Sequence, residues 1–460
     1  MKFIDSKDWK AVSEIKRVME YETMIPGFYE EMEKDAEATF KKYNINLKPE
    51  DVQFDNSTKT DENSRGYKMT AIYPDSKAPA YADFMNKKFM QVDEIKTAST
   101  PTNPAMKKWR ERQMNRCIMQ LGGKMIHMVH APFALELSSG CSIGCEFCGF
   151  NAGKLKSVFR YTEENSKLFN EVIYAAKEII GDAAGQGTMY YATEPLDNPD
   201  YELFMNDYLK CFGTLPQITT AASARHIELL HRLLKQLNEK NDKIYRFSIT
   251  SAEIRDIIFK EFAPEELPLV ELLPQFSEAP GNNFINAGRN VKNDEEYGDT
   301  IACMSGFIVN MVEKSVKIST PTSASKEHPT GEIIIDKGYF TSGEDFRELL
   351  LSMISKHMNN ILGPKEKLIL RKDLCYCLSD DGILNLTTNK GAEFNLKCNE
   401  FGQTYVKMLD FVAEAPRTRR EIVKYLLTLS ELGGGTTDVL HFTINRLWHL
   451  GVFEAQSGLV

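Results

Sequence analysis

The 460-residue chain has no stretch of the ~18 consecutive apolar residues that mark a membrane-spanning helix. Its opening residues do not form a charged-then-apolar targeting signal, because Lys2, Asp5, Lys7 and Asp8 interrupt them. A soluble cytoplasmic protein with no membrane partner is therefore expected. A basic surplus is also missing. With 56 Lys and Arg against 65 Asp and Glu, the balance disfavours a general nucleic-acid binder. Walker-type, HExxH and GxGxxG motifs are absent, so neither nucleotide-phosphate nor hydride chemistry gains support. The nine cysteines, an odd number without secretory context, read as reduced thiols and metal ligands rather than a disulfide framework.

The length exceeds the ~250 to 300 residues at which a single core stops growing, so several domains are expected. Residues 1–130 are polar and rich in lysine and glutamate, with helical stretches at Trp9 to Tyr21 and Met106 to Leu121 and a loop from Asp55 to Arg65. They read as a helical N-terminal subdomain. Lys107, Lys108, Arg110, Arg112 and Arg116 on the second helix read as a solvated face, with contact to an acidic peptide as the alternative. From residue 131 to about 345, short apolar runs alternate with amphipathic stretches, the mark of β-α units and a parallel sheet. Strands are expected at Ala134 to Leu137, Gly187 to Ala192, Gln217 to Ala221, Ile244 to Thr250, Leu269 to Leu273 and within Ile301 to Ile318. Six such strands make an α/β partial (β/α)6 TIM-like barrel. The clearest helix follows Thr162, a capping residue. Glu163 and Glu164 suit its positive end, and Leu168, Phe169, Val172, Ile173, Ala176, Ile179 and Ile180 form its apolar face. A second helix is expected from Ala224 to Leu237. Residues 346–370 read as a linker helix. Residues 371–460 read as a winged-helix-like module, with strands Leu374 to Leu378 and Ile383 to Thr388, a helix from Glu400, a Thr418-x-x-Glu421 capping box and a last helix from Asp438 to Leu450.

Three cysteines within eight residues, Cys141-x3-Cys145-x2-Cys148, directly follow the first expected strand. Glycines 140, 144 and 149 let this loop turn, and Phe147 precedes the last cysteine. Structural zinc prefers four closed ligands, often as two paired spacings, and remains the alternative. The motif resembles the signature of the radical SAM superfamily. That resemblance implies a [4Fe-4S] cluster on Cys141, Cys145 and Cys148, with the fourth iron taking S-adenosyl-L-methionine. In Tyr190-Tyr191-Ala192-Thr193-Glu194-Pro195 it implies a counterpart of the superfamily's Gly-Gly-Glu-Pro-like segment, with Ala192 and Thr193 small enough for close approach and Glu194 receiving the ammonium. Hydroxyls from Thr219, Thr220, Ser248 and Thr250 would face the ribose and carboxylate. Arg289 reads as a substrate or carboxylate contact, or as a solvated charge. The implied reductant is a flavodoxin or ferredoxin.

Phe133 to Gly153, the Ala192 to Tyr201 segment with Asp197-Asn198-Pro199-Asp200-Tyr201, and Ile301 to Ile318 resemble the radical SAM maturases of ribosomally made peptides, most of all the peptide epimerases. The resemblance implies a precursor peptide held by its leader on residues 371–460, by strand addition to the Leu374 to Thr388 hairpin. It also implies Cα hydrogen abstraction from an L-residue, with a thiol returning hydrogen to the opposite face. Cys303, expected in a late strand at the barrel mouth, is the chosen donor; Cys117, Cys211, Cys375, Cys377 and Cys398 are the remaining thiols. Cys375-x-Cys377 with Cys398 is a competing set for a second cluster. Cross-linking or splicing of a peptide, a small-metabolite radical SAM reaction and an iron-sulfur DNA-binding regulator are the other readings.

Overall fold

The computed structural model describes residues 2–55, 68–282, 284–291, 298–358, 362–363, 365–398, 401–429 and 437–455. It is a mixed α/β chain with several small sheets, and among the described residues no sheet closes into a barrel. The expected loop at Asp55 to Arg65 and the helix start at Glu400 fall largely outside these residues.

The N-terminal part supplies α1 (Trp9–Met24), α2 (Ala78–Ala98) and α3 (Pro104–Leu121). Asn103 caps α3 by accepting from the Ala105 and Met106 amides, each at 3.1 Å, and Pro104 occupies the first turn, where a missing N–H costs nothing. The arginines of α3 are not a solvated face. Lys107 and Lys108 are exposed, but Arg110 and Arg112 are buried and Arg116 is half-buried. Each guanidinium finds a neutral partner that allows burial. Arg110 donates to the carbonyls of His130 (2.8 Å), Val129 (2.7 Å) and Lys96 (3.3 Å). Arg116 bonds Gln113, Gln120, Thr320 and the Pro321 carbonyl. Arg112 lies 3.9 Å from the centre of the Trp448 ring.

The middle of the chain alternates β1 (Ala131–Glu136), α4 (Glu163–Ile180), α5 (Tyr201–Phe212), β2 (Thr219–Thr220), α6 (Ile227–Lys240), β3 (Tyr245–Ile249), α7 (Ala252–Glu261) and β4 (Val270–Pro274). Strands β2, β3 and β4 pair in parallel. Thr188 forms parallel bridges to Ala134 on one side and Gln217 on the other, joining β1 to this set. The stretch Gly187 to Ala192, expected as a full strand, contributes only those two bridges, because side chains replace its ladder. The Thr188 hydroxyl donates to the Tyr190 carbonyl at 2.6 Å, and the Glu136 carboxylate accepts from the Ala192 amide at 2.8 Å. Helix α4 has the expected cap, with Thr162 Oγ accepting from the Asn165 amide at 3.2 Å, and buries all seven expected apolar residues.

The Ile301 to Ile318 region does not extend the parallel set beyond β4. It forms β5 (Met304–Asn310), parallel to β1 on that strand's other side, then β6 (Ser315–Pro321) and β7 (Glu332–Tyr339), both antiparallel to their neighbours. A tight turn with Lys314 at φ 48° closes the hairpin between β5 and β6. Phe133, Leu135, Phe307 and Val309 enter the main core with α4 and α8 (Gly343–His357). Ala131, Ala134, Met304 and Ile308 point to the other face, where they pack with Tyr191 and Phe150.

The C-terminal part has β8 (Lys367–Leu370), β9 (Leu374–Leu378), β10 (Ile383–Thr388) and β11 (Glu393–Lys397), then α9 (Gly402–Glu414), β12 (Arg417–Thr418), α10 (Arg419–Thr428), α11 (Thr437–His449) and β13 (Phe453–Ala455). Strands β9, β10 and β11 form one antiparallel sheet; β12, β8 and β13 form another. This unit therefore begins ahead of residue 371, and the expected linker is a helix followed by a strand of the unit itself. The predicted capping box is present: Thr418 Oγ accepts from the Glu421 amide (3.3 Å), and the Glu421 carboxylate accepts from the Thr418 amide (2.7 Å). Ile118 and Met119 of α3 enter this second core beside Leu368, Leu447 and Trp448.

Candidate functional site

The cysteine loop leaves the end of β1 and is fixed at many points. The Cys141 amide donates to the Gly153 carbonyl (2.9 Å) and the Leu155 amide to that of Cys141 (3.1 Å). Gly140 and Gly144 have φ of 83° and 67°, a region that glycine enters without steric cost. The Ser142 amide donates to Asp197 at 2.9 Å, tying the loop to the segment after Glu194. All three thiols are half-buried. Burial pushes the Cys145 thiol up to about 11, and the neighbouring Cys148 and Cys141 push in the same direction, which places the three within electrostatic reach of one another.

Among the described residues no three His, Cys, Asp or Glu side chains converge as ligands of one metal ion. A cluster carries its own sulfides and spreads its thiolates more widely than a zinc ion with Zn–S near ~2.3 Å. Three half-buried thiols on one braced loop fit such a group, and a bound cation would remove the mutual repulsion of the thiolates.

Glu194 is 3 % exposed. Its carboxylate accepts from the Thr220 hydroxyl (2.6 Å), the Ala221 amide (2.9 Å) and the Leu196 amide (3.1 Å), stitching the 188–194 segment to the end of β2. Burial nevertheless raises its pKa to about 7, since these three bonds only partly offset the lost hydration. The carboxylate in turn holds the Cys141 and Cys145 thiols up. A carboxylate has about four acceptor positions, so one remains for a further donor. Thr193 beside it is half-buried.

Thr219 donates to the Tyr190 hydroxyl at 2.7 Å, and Tyr190 donates to Gln217 at 2.8 Å. Ser248 is half-buried and shares the face of β3 with Arg246. Arg246 pairs with Glu271 at 2.6 Å, and Lys88 of α2 reaches the same carboxylate at 2.5 Å. Although burial opposes it, these two cations draw the Glu271 pKa down to about 2. Sequence reasoning missed Glu136, Arg246 and Glu271, and named Tyr190 and Asp197 only within longer segments, with no role of their own. For Arg246 the signal was alternation on β3, where it and Ser248 lie on the face opposite Tyr245, Phe247 and Ile249.

Cys303 lies one residue ahead of β5, not within a strand, and register with β1 puts it where the parallel strands start rather than at the mouth where the cysteine loop leaves. The Thr300 hydroxyl explains this: it accepts from the Ala302 amide (3.1 Å) and donates to the Gly331 carbonyl (2.6 Å), holding the chain out of the ladder. The cysteine loop returns across the same face. Phe150 packs against Tyr191 with ring centres 4.6 Å apart, and a Cβ on Gly149 would lie 3.0 Å from Ile301. Cys303 is exposed to solvent, although protein atoms crowd around it. Burial raises its thiol pKa, with Arg246 opposing and Glu332 reinforcing the rise. Tyr190 and Tyr191 are close enough to feel its charge.

The competing cysteines are not gathered. Cys398 is buried and donates to the Leu396 carbonyl at 3.2 Å, while Cys375 and Cys377 are exposed on the opposite face of the same small sheet. Cys117 and Cys211 are buried. Arg289, expected to meet a substrate or solvent, instead binds the cysteine loop.

No protein-family model matches the chain, and no solved structure matches it. An uncharacterized protein of Sinorhizobium fredii, y4wI, is 38% identical over 291 residues, which are 61% of this chain. The chain spans 57% of the length of that curated relative.

Proposed function

We propose that this chain is a radical SAM enzyme that epimerises residues of a ribosomally made peptide, built on an open (β/α)6-type half barrel with a winged-helix-like leader-binding module. Five parallel segments, β1, Thr188, β2, β3 and β4, separated by helices, support the half barrel. The observation that carries the chemistry is the tie between the cysteine loop and the Glu194 segment at the end of that run, where the Ser142 amide donates to Asp197 at 2.9 Å.

In this reading the three thiolates hold a [4Fe-4S] cluster, and Glu194 offers its remaining acceptor position to the ammonium of S-adenosyl-L-methionine. When bound, these groups supply a radical that removes a Cα hydrogen atom. The chain's own residues do the rest. Cys303 is, outside the cluster motif, the thiol that is both open to solvent and beside the parallel strands. Its raised pKa keeps it S–H, the form that can donate a hydrogen atom. Donation forms the C–H bond on the opposite face and breaks S–H. The thiyl then takes one electron from the external reductant, a flavodoxin or ferredoxin, and a proton from solvent. Among the described residues β9 is an outer strand of its sheet, and its edge suits strand addition by a leader.

The test is anaerobic turnover of the precursor peptide in deuterated water. Because an exposed thiol exchanges its proton, each epimerised residue gains one mass unit. Loss of two mass units would instead indicate a cross-link. Cys303→Ala should keep cleaving the cosubstrate while D-residue formation collapses, whereas Cys145→Ala should do neither. Unchanged epimer yield from Cys303→Ala would rule out this thiol.

A further inference from the structure

Arg289 lies 141 positions after Cys148 in sequence, yet its guanidinium reaches the cysteine loop at three points. Nη1 donates to the Cys145 carbonyl at 2.7 Å, Nε to the Asn151 side-chain oxygen at 3.0 Å, and Nη2 to the Ala152 carbonyl. Its backbone amide donates to the Cys148 carbonyl at 2.9 Å. Gly288 makes this approach possible: it has φ of 62°, and a Cβ there would lie 2.2 Å from the Gly149 carbonyl oxygen and 2.5 Å from that of Cys148. The Gly288 amide is anchored to the Pro329 carbonyl at 2.8 Å, and the Ile301 amide to that of Thr330 at 3.2 Å. The strap around residue 288 therefore links the cysteine loop to the segment that leads to Cys303.

Resting on the reading above, we infer that Arg289 is a positioning residue for the cluster: it clamps the ligand loop and places a fixed positive charge beside the ligand Cys145. The physical grounds are independent of any contact to substrate. A loop carrying three thiolates has its carbonyl dipoles and its anionic charge to reconcile, and one planar cation with forked donors satisfies several oxygens at once. Partners behind the ligands fix their geometry and tune the metal. A cation close to a centre that gains an electron favours the reduced state, so it raises the midpoint potential.

Wild type, Arg289→Lys and Arg289→Gln, reconstituted anaerobically as the full chain, are compared by iron and sulfide content, iron loss to a chelator and an electron paramagnetic redox titration without peptide. Arg289→Gln should lose iron about 10- to 100-fold faster and titrate at a lower potential. Arg289→Lys keeps the charge but cannot span three oxygens, so its potential should stay near wild type while iron loss is accelerated. If wild type holds a cluster and both variants match it in retention and potential, the assignment to Arg289 is overturned and the enzyme reading stands. A wild type that takes up no cluster overturns both. Should Arg289→Gln be insoluble, Arg289→Lys decides, and wild-type iron retention in it overturns the clamp.

Discussion

Glu194 should make this protein lose stability as the pH rises toward neutrality, the reverse of an ordinary salt-bridged carboxylate. Its pKa moves from 4.5 to about 7 because burial penalises the charged form more than the bonds from Thr220, Ala221 and Leu196 favour it. Between these values the folded chain holds a proton that the unfolded chain has released, so the unfolding free energy falls with pH. At about 1.4 kcal/mol per pH unit the gap corresponds to about 3 kcal/mol, fully present below 4.5 and lost once the pH exceeds about 7. Glu194→Gln keeps the shape and cannot ionise. It sacrifices an acceptor, so it starts less stable by about 1 to 3 kcal/mol. The assay is denaturant unfolding of both proteins across this range. The wild-type advantage over Glu194→Gln should shrink by about 3 kcal/mol as pH rises through the window. Parallel curves would refute the buried, protonatable carboxylate. In the proposed reading, cosubstrate binding should carry the opposite sign: an ammonium needs the carboxylate form, so affinity should tighten as pH passes about 7 in wild type and stay flat in the variant.

Two further outcomes follow from side chains remote from the cysteine loop. Trp448→Ala should destabilise the C-terminal unit by about 3 to 5 kcal/mol in thermal or denaturant unfolding, because the ring is 3 % exposed and carries Arg112 on its face. A double-mutant cycle with Arg112→Met should return a coupling of about 2 kcal/mol, and zero coupling would show the stacking to be incidental. Cys375→Ser combined with Cys377→Ser should leave iron content and turnover unchanged, since these exposed thiols lie across a sheet from Cys398. A loss of iron in that variant would revive the second cluster.

Local signals in the sequence were read well where the physics is local. Thr162 and Thr418 cap their helices as their spacing to an amide or a glutamate demands, and the apolar face of α4 follows directly from a 3.6-residue repeat. Leu374–Leu378 and Ile383–Thr388 have the expected bounds, set by turn residues at both ends. Pairing choices made over long distances were not readable. Nothing within Ile301 to Ile318 says that it will lie beside β1 instead of beyond β4, because apolar alternation specifies a buried strand and not its neighbour. Glu136, a charge inside an otherwise apolar strand, was the one hint that the 187–192 segment would be held by a side chain and not by a ladder.

The arginines of α3 show why a charge count misleads. A guanidinium has five donors and a flat apolar face, so three of them could be taken inside by carbonyls, side-chain amides and an indole ring. That arrangement has a mechanical consequence. Helix α3 touches β6 through Gln113 and Arg116, and it touches the second core through Ile118, Met119 and Arg112. Because both attachments are made by one helix, the sheet that Cys303 leads into and the sheet that presents β9 are tied to a common strut. In the proposed reading a leader held at β9 then sets how far along the precursor the chemistry falls, through the length of peptide between the two sites rather than through recognition of the altered residue.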